Sequence, residues 1–363
     1  MEDRIYEIAM TMLPGVGYVT GRRMLAVCGS PELIFREKRG ALLKIAGVRE
    51  EAVRKIRSKH LLHAAERELR FVNKHGLKLL FFQDADFPFR LKQCEDSPLL
   101  LYYKGMADLD SRRIVAVVGT RNPTAYGKEQ CVRFVDALKD TGALIISGLA
   151  YGIDSLAHRR SLDNGMLTVG VLGHGFQTLY PSLNRSMAEQ MTSQGGLLTE
   201  FRRGTRPDRE NFPKRNRIVA GLSDAVLVIE SAERGGALIT ADIALSYNRD
   251  VFALPGKVTD QRSSGCNWLI FDNKAALVRS PEDMFSLMSW DVHANEPRQI
   301  NLFEGMNGAE REVAEILKQR GPMEIESLLL ITGKSPGEIT RTLMQMELNG
   351  QVSARPGNVY ALA

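Results

Sequence analysis

The residues best suited to chemistry in this 363-residue chain are glycines and cations that directly follow short apolar runs. The first such turn contains Gly119, Thr120, Arg121 and Asn122, and it follows the run IVAVV. Glycine leaves backbone N–H groups accessible, and the N-terminus of a following helix attracts negative charge. The turn therefore predicts a phosphate site beside one guanidinium. Its spacing matches neither GxxxxGKS/T nor GxGxxG, the common triphosphate and dinucleotide fingerprints.

A second turn of the same type follows the apolar run LIIS. It begins with Ser147 and Gly148 and continues to Tyr151 and Gly152. Two glycines four residues apart let the backbone approach a ligand closely. The Tyr151 ring has two interpretations, because it can stack on a nucleobase or pack within the fold.

A third segment, NFPKRNR at 211–217, combines one aromatic ring, amides and three cations. Its candidate ligand-binding residues are Phe212, Lys214, Arg215, Asn216 and Arg217. Cations interleaved with a ring and an amide suit single-stranded nucleic acid, since charge follows the backbone and rings engage bases. We interpret the segment as a loop that leads into the buried strand 225–230.

A fourth turn, which includes Gly235 and Gly236, closes the strand 225–230. Glu230 lies at the start of this turn, and a carboxylate among phosphate donors can act as a general acid or base. No Ser/His/Asp triad, carboxylate pair at a motif spacing or metal-ligand cluster accompanies it. The sequence thus predicts a binding protein without catalytic residues, metal or cofactor.

The four cysteines are scattered and form no CxxC pair, so neither a disulfide framework nor a zinc site is expected. No apolar run approaches the roughly 20 residues of a membrane span, and the start of the chain resembles no secretory signal. These observations predict a cytoplasmic protein that does not enter a membrane.

The net charge of +5 is modest, but the charges are unevenly distributed. Residues 1–80 carry 16 basic and 9 acidic side chains, and residues 201–217 carry seven basic and two acidic ones. Residues 309–363 carry six basic and seven acidic side chains. A polyanion is therefore expected to meet the first two segments and not the last.

Between residues 61 and 290, short apolar strands bounded by glycine alternate with helical stretches. This pattern predicts an α/β fold with a doubly wound, mostly parallel sheet. In such a fold, ligands bind at the carboxyl edge of the strands. The three Gly-containing turns and the loop at 211–217 are therefore expected at one edge.

Two flanking regions are predicted to be helical. In residues 1–60, LPGVG and KIAGV precede amphipathic helices, which indicates a helix-hairpin-helix or SAM-like domain that contacts DNA phosphates or serves as a small bundle for protein contacts. Residues 291–306 resemble a linker, and 307–363 have the pattern of a winged helix. Its recognition helix has one cation, Arg341, against Glu338 and Glu347, which favours protein contact over DNA reading.

The ordered motifs VAVVGTRNPTAYGKE, SGLAYGIDSLAH, NFPKRNRIVAGLSDAVLVIE and ERGGALITADIA together resemble the DprA/Smf family of DNA-processing proteins. The resemblance implies a Rossmann-like domain over 61–290 that binds single-stranded DNA and forms a homodimer. It also implies a role in loading a RecA-type recombinase onto incoming DNA during natural transformation. The basic pocket would include Arg121, Ser147, Gly148, Lys214, Asn216 and Arg217.

The chain departs from the family pattern at Tyr151, where relatives frequently carry arginine. The alternative is a Rossmann-like nucleotide-processing enzyme, a phosphoribohydrolase of the lysine decarboxylase-like type. Those enzymes carry a PGGxGT turn, whereas this chain has ESAERGGALIT. We also expect Arg121 and Lys214 to grip the same strand of DNA.

Overall fold

The structure is a computed structural model that describes residues 3–290, 307–349, 351–355 and 358–362. The chain divides into two compact units, Met1–Val292 and His293–Ala363. The predicted linker at 291–306 and residues 356–357 of the predicted winged helix lie outside the described residues.

A nine-stranded sheet is the centre of the first unit, with the order β1-β2-β6-β5-β4-β3-β7-β8-β9. Its strands are β1 (Lys78–Phe81), β2 (Leu100–Gly105), β3 (Ile114–Val118), β4 (Leu144–Ser147), β5 (Thr168–Val171), β6 (Gly195–Thr199), β7 (Ala225–Val228), β8 (Asp250–Ala253) and β9 (Ala276–Leu277). The pairs β1–β2 and β2–β6 are antiparallel, and the other pairs are parallel. The predicted doubly wound, mostly parallel sheet is confirmed.

The neighbouring central strands β3 and β7 are apolar along their whole length because both sheet faces are covered. Within β3, Ile114 and Val118 belong to one core, whereas Val115 and Val117 belong to the core on the other face. Successive side chains of a strand point to opposite faces, so a continuous apolar run satisfies both cores.

Fourteen α-helices are described in the first unit, with two short 3-10 helices at Lys139–Thr141 and Ser182–Asn184. The α-helices are α1 (Asp3–Thr11), α2 (Tyr18–Cys28), α3 (Pro31–Arg36), α4 (Arg39–Leu42), α5 (Glu50–Ile56), α6 (Lys59–Lys74), α7 (Phe89–Lys92), α8 (Ala125–Leu138), α9 (Ile153–Asp163), α10 (Arg185–Ser193), α11 (Asn211–Leu222), α12 (Gly236–Ser246), α13 (Ser264–Phe271) and α14 (Pro281–Leu287). The segment 211–217, interpreted above as a loop, is the start of α11. The loop interpretation is therefore wrong. The helix tolerates Pro213 because this residue lies in the first turn, where a backbone N–H would have no acceptor within the helix.

Helices α1–α6 form an N-terminal layer that packs on the β1–β2 side of the sheet. Ile8 and Met24 share one apolar core with Leu79, Phe81 and Tyr102 of the two strands. The predicted boundary at residue 60 falls inside α6, which packs against α1. The helical layer therefore extends through the end of α6.

The second unit contains α15 (Gly308–Arg320), β10 (Met323–Glu324), α16 (Ile325–Thr332), α17 (Pro336–Leu348), β11 (Val352–Arg355) and β12 (Val359–Leu362). Its strands form a sheet in the order β10-β12-β11. Reciprocal capping boxes begin α15 at Asn307 and α17 at Ser335, which fixes where both helices start. The predicted winged helix is confirmed.

Candidate nucleic-acid interface

The parallel strands β3 and β7 are neighbours at the point where the order of strands in the sheet switches from one side to the other. From β3 the chain builds β4, β5 and β6 on one side, and it then returns to place β7, β8 and β9 on the other. Turns after neighbouring strands diverge at such a point and leave a crevice at the carboxyl edge. A cavity of about 600 Å³ occupies this crevice; we call it the edge cavity.

The turn after β3 is fixed by backbone contacts to its neighbours. The N–H of Thr120 donates to the carbonyl of Glu230 at 2.7 Å, and the carbonyl of Thr120 accepts from the N–H of Ile153 at 3.2 Å. Gly152 has a φ of +82°, and a Cβ there would collide with the Thr120 carbonyl oxygen. Arg121 thus extends from a backbone held on both sides.

Ser147 is the last residue of β4 and lies outside the lining of the edge cavity, whereas Gly148, the next residue, lines it. The Ser147 hydroxyl is buried and donates to the Val117 carbonyl at 2.6 Å. Gly148 packs against the Arg215 guanidinium so closely that a Cβ would overlap it. Glycine is therefore required at 148 to admit the cation.

Arg215 is a buried cation that lines the edge cavity. Burial lowers the pKa of its guanidinium to about 10, with the charge of Asp154 opposing the fall and that of Arg121 adding to it. Arg215 therefore stays charged at neutral pH. Its Nε is buried without a hydrogen-bond partner among the described residues, so the charge is only partly compensated and favours an anion in the cavity.

The Asp154 carboxylate is the acidic group of this cavity. It accepts a hydrogen bond from the N–H of Ala150 at 3.3 Å. Burial raises the pKa of Asp154, while Arg215 opposes the rise. Asp154 thus holds the loop after β4 and provides a partner charge for Arg215.

Three aromatic rings form a row at the rim. The ring centroids of Tyr151 and Tyr180 are 6.4 Å apart, and those of Tyr180 and Phe212 are 6.0 Å apart. The Arg121 guanidinium carbon lies 5.6 Å from the Phe212 centroid. Tyr151 and Tyr180 remain 39% and 41% exposed, which leaves ring surface available for stacking.

Sequence reasoning missed three residues of this site: Tyr180, Arg209 and Arg234. The two arginines were inside segments already noted for their glycine or charge, but neither was selected. Within the described ranges, no ion pair or hydrogen bond engages the side chains of Arg121, Arg209 or Arg234. Those three cations are thus available to a ligand.

A second cavity of about 650 Å³ lies on the other side of α11; we call it the helical-layer cavity. Lys214 and Arg217 line this cavity and not the edge cavity. Arg217 is buried, its guanidinium bonds the Glu200 carboxylate and the Asp96 carbonyl, and it covers the Tyr18 ring at 5.3 Å. Arg217 is therefore engaged within the protein.

The structure brings nine predicted site residues together and separates six. Those lining the edge cavity are Gly119, Thr120, Arg121, Gly148, Phe212, Arg215, Asn216, Gly235 and Gly236. Those outside its lining are Asn122, Ser147, Tyr151, Gly152, Lys214 and Arg217. The expectation that Arg121 and Lys214 share one pocket does not match this geometry, because the first helical turn of α11 points its side chains to two sides.

The Glu230 carboxylate has a structural role. One of its carboxylate oxygens accepts from the Thr124 N–H at 2.8 Å and the other from the Thr124 hydroxyl at 2.7 Å. Thr124 in turn caps α8 through the N–H of Gly127. The carboxylate thus anchors the start of α8 and is absent from the lining of the edge cavity.

Across the described residues, no group of three or more His, Cys, Asp or Glu side chains is arranged to hold a metal ion. No helix in that part of the chain is long and apolar enough to cross a bilayer.

Comparison with known proteins identifies the family. Residues 78–289 match the family model described as DNA recombination-mediator protein A, and residues 304–358 match the DprA winged helix domain. The chain belongs to the DprA/Smf family. The suspected resemblance is confirmed, and the match spans the sheet that carries the edge cavity.

Relatives in this family resemble the chain over most of its length. Protein Smf of Synechocystis is 32% identical over 99% of this chain and 98% of its own. The DNA processing protein DprA of Bacillus subtilis is 39% identical over 64% of this chain and 78% of its own.

Two solved structures of the family share this fold. DprA of Streptococcus pneumoniae aligns with a TM-score of 0.68 and 32% identity, covering 80% of this chain and 98% of that one. DprA of Helicobacter pylori, described for its mode of binding single-stranded DNA, aligns with a TM-score of 0.54 and 27% identity, covering 59% of this chain and 97% of that one.

Proposed function

We propose that this protein binds single-stranded DNA at the edge cavity with little sequence preference. The observation that carries the proposal is the combination of four lining cations, Arg121, Arg209, Arg215 and Arg234, with a row of partly exposed rings. Cations neutralise the phosphate backbone, and rings stack on bases of any sequence. The H. pylori relative described for single-stranded DNA binding supports the same ligand class.

The form of the cavity favours a single strand over a duplex. A duplex reader needs a helix or ribbon that enters a groove, whereas here the cations and rings surround a concave site at the ends of strands. The rings can stack only on bases that are not paired within a duplex. The proposed ligand is therefore an unpaired strand.

The test is a binding titration of the whole chain with single-stranded DNA, duplex DNA and a mononucleotide at several salt concentrations. Engagement of about three to five phosphates predicts a slope of log affinity against log salt of roughly −2 to −3.5. We expect tighter binding of the single strand than of the duplex at every salt concentration. Equal affinity for the single strand and the duplex at matched salt would contradict the proposal.

We further propose that the protein is a recombination mediator that helps to load a RecA-type recombinase during natural transformation. The description of the family model supports the mediator role. The test measures recombinase filament formation on DNA that is already coated with a single-stranded DNA-binding protein. We expect this protein to shorten the lag before filaments form, and an Arg121→Glu variant to leave the lag unchanged from the reaction without protein.

A homodimer and a cytoplasmic location are also proposed. The outer strand β9 and the neighbouring helix α13 expose apolar side chains at one edge of the sheet: Phe271 is 85% exposed, Trp268 40% and Leu277 43%. Exposed apolar edges favour association. Sedimentation of wild type and Phe271→Glu tests the dimer, and a wild-type protein sedimenting as a monomer would contradict it.

The winged helix is proposed as a protein-contact module rather than a DNA reader. Exposed apolar side chains on its helices, including Leu330 at 86% and Leu348 at 74%, fit that role better than phosphate contact. A chain ending at residue 306 is expected to keep its DNA affinity within about tenfold, or about 1.4 kcal/mol. A larger loss would place this unit in the DNA interface.

The proposed role is binding rather than catalysis. Glu230, the one carboxylate singled out as a possible acid or base, already accepts two hydrogen bonds from Thr124. We expect purified protein to release neither base nor phosphate from nucleotides. Release that disappears in Glu230→Gln would establish the enzyme alternative instead.

A further inference from the structure

The helical-layer cavity differs in character from the edge cavity. It is an open cleft lined by the turn before α2, the stretch before β2, the residues after β6 and the first turns of α11. Its walls include Val16, Pro98, Leu99 and Phe201. At about 650 Å³ it falls in the size range of small-ligand sites, and a flat apolar group fits such walls better than a phosphate does.

The Tyr18 ring is a ready stacking surface in this cavity. The Arg217 guanidinium covers the ring at 5.3 Å, yet Tyr18 is still 36% exposed. The ion pair of Arg217 with Glu200 keeps this cation in place. Because Arg217 already restricts the Tyr18 side chain, stacking of a planar ligand on the ring costs little further side-chain entropy.

The cavity also holds a hydrogen-bond acceptor suited to a base edge. Arg217 bonds to Oε2 of Glu200, and no hydrogen bond from the described residues reaches Oε1. Carboxylates accept hydrogen bonds from the N4 amino group of cytosine. Thymine has no exocyclic amino group, so this acceptor favours cytosine over thymine.

The two cavities adjoin, because Pro213 in the first turn of α11 lines both. Lys214, the next residue, is exposed and lines the helical-layer cavity. A strand whose phosphates occupy the edge cavity therefore has a short route over Pro213, with Lys214 available for the following phosphate.

We infer that the helical-layer cavity receives one unstacked nucleobase of the strand that the edge cavity binds. The base stacks on Tyr18 and, where it carries an amino group, donates to Glu200. The inference rests on the proposed function and adds a specificity element to it. The ligand is a base within a bound strand, and a free nucleotide is the competing source of the same chemistry.

The experiment measures the affinity of the full chain for length-matched oligo(dC) and oligo(dT) across a salt series. The variants are Tyr18→Leu, which removes the ring, Tyr18→Phe, which keeps it, and Val19→Ala as a control at the neighbouring exposed position. Thermal melts of each variant run alongside. Equilibrium dialysis with dCMP tests the free nucleotide.

The expected result has three parts. Wild type binds oligo(dC) about threefold or more tighter than oligo(dT). Tyr18→Leu weakens binding of oligo(dC) about fivefold or more, the lower end of the loss for base–aromatic stacking, while the salt slope stays at the wild-type value because no phosphate contact is removed. Tyr18→Phe and Val19→Ala bind like wild type.

The inference is overturned if Tyr18→Leu, with a wild-type melt, binds both oligonucleotides as wild type does, even though Arg121→Glu abolishes binding. If the melting temperature of Tyr18→Leu is below that of wild type, the deciding measurement is the preference of wild type for oligo(dC) over oligo(dT). The absence of that preference also overturns the inference. Binding of dCMP as tight as that of the strand would assign the cavity to a free nucleotide. Failure of wild type to bind any single strand would instead refute the proposed function.

Discussion

The two cavities on either side of α11 show how one short basic segment performs two different tasks. Phe212, Arg215 and Asn216 line the edge cavity, whereas Lys214 and Arg217 line the helical-layer cavity. Residues three and four positions apart share a helix face, which explains both groupings. The number of cations in a segment therefore does not tell how many of them meet a ligand.

The energetic states of the cations differ as well. Arg121 is exposed and has no ion-pair partner among the described residues, so its charge is available. Arg217 is buried and paired with Glu200. We expect a cation of the first kind to contribute to binding and one of the second kind to contribute to the stability of the fold, since its removal would leave the partly buried Glu200 carboxylate without its partner.

The largest expected effect is the loss of DNA binding in Arg121→Glu. Hydrogen bonds to charged groups contribute about 1.5–3 kcal/mol, and charge reversal adds repulsion, so we expect a loss of about 100-fold or more in affinity at low salt. The melting temperature should stay near that of wild type, because Arg121 is exposed.

The matched control for this variant is Arg112→Glu, which changes another exposed arginine just before β3, at the amino end of the strand that Arg121 follows. It is expected to bind like wild type. Wild-type affinity in Arg121→Glu, with the melt unchanged, would show that the interface has been placed at the wrong edge.

A loss of stability is expected in Arg217→Ala. Removing one partner of a fully buried ion pair costs about 3–5 kcal/mol in the free energy of unfolding. Because the Glu200 side chain is partly exposed, we expect a smaller loss of about 1–3 kcal/mol, measured by denaturant titration. Lys214→Ala, which removes an exposed cation from the same turn, should change this quantity by no more than about 0.5 kcal/mol. Equal stability in both variants would contradict the assignment of Arg217 to the fold.

The pH dependence of Arg217→Ala provides a second check. Burial raises the pKa of the Glu200 carboxyl, and Arg217 opposes that rise, so the variant should raise it further. A folded state with the higher carboxyl pKa binds more protons than the unfolded state, and its stability relative to wild type improves as pH falls. The loss of stability of Arg217→Ala relative to wild type should therefore be smaller at pH 5 than at pH 8. Adding Glu200→Gln to Arg217→Ala should reduce this loss at pH 8.

The smallest expected effect is the coupling between Arg121 and Lys214 in DNA binding. Because the two side chains line different cavities, the losses in Arg121→Ala and Lys214→Ala should add within about 0.5 kcal/mol in the double variant. A double-mutant cycle with single-stranded DNA measures this quantity. A double variant that loses much less than the sum would return both cations to one shared contact.

Much of the fold follows from local sequence pattern. Short apolar runs predicted the strands β3, β4 and β7, because a parallel strand buried on both faces must be largely apolar. Gly119 and Gly148 were predicted as site residues because each directly follows such a run, and both line the edge cavity. These features depend on residues adjacent in the chain, which a sequence displays directly.

The predictions that were missed or wrong concern contacts between residues that are distant in the sequence. Tyr180 joins the aromatic row only because the chain segment after β5 folds back toward Phe212. The segment 211–217 contains a proline and many charges, which also suit a loop, and only its packing on the sheet established the helix α11. Nothing local to Arg217 indicated that Glu200 and Tyr18 would engage it.

Local pattern was thus sufficient for the doubly wound sheet and the winged helix, and it predicted that Gly119, Gly148 and Gly235 lie at one edge, where they line one cavity. The tertiary structure decided which cations remain available and that a second cavity adjoins the first. The physical reason is that strand and helix formation depend on the periodicity of nearby side chains. The availability of a charge depends instead on burial and on partners that the fold brings from elsewhere, as Glu200 is brought to Arg217.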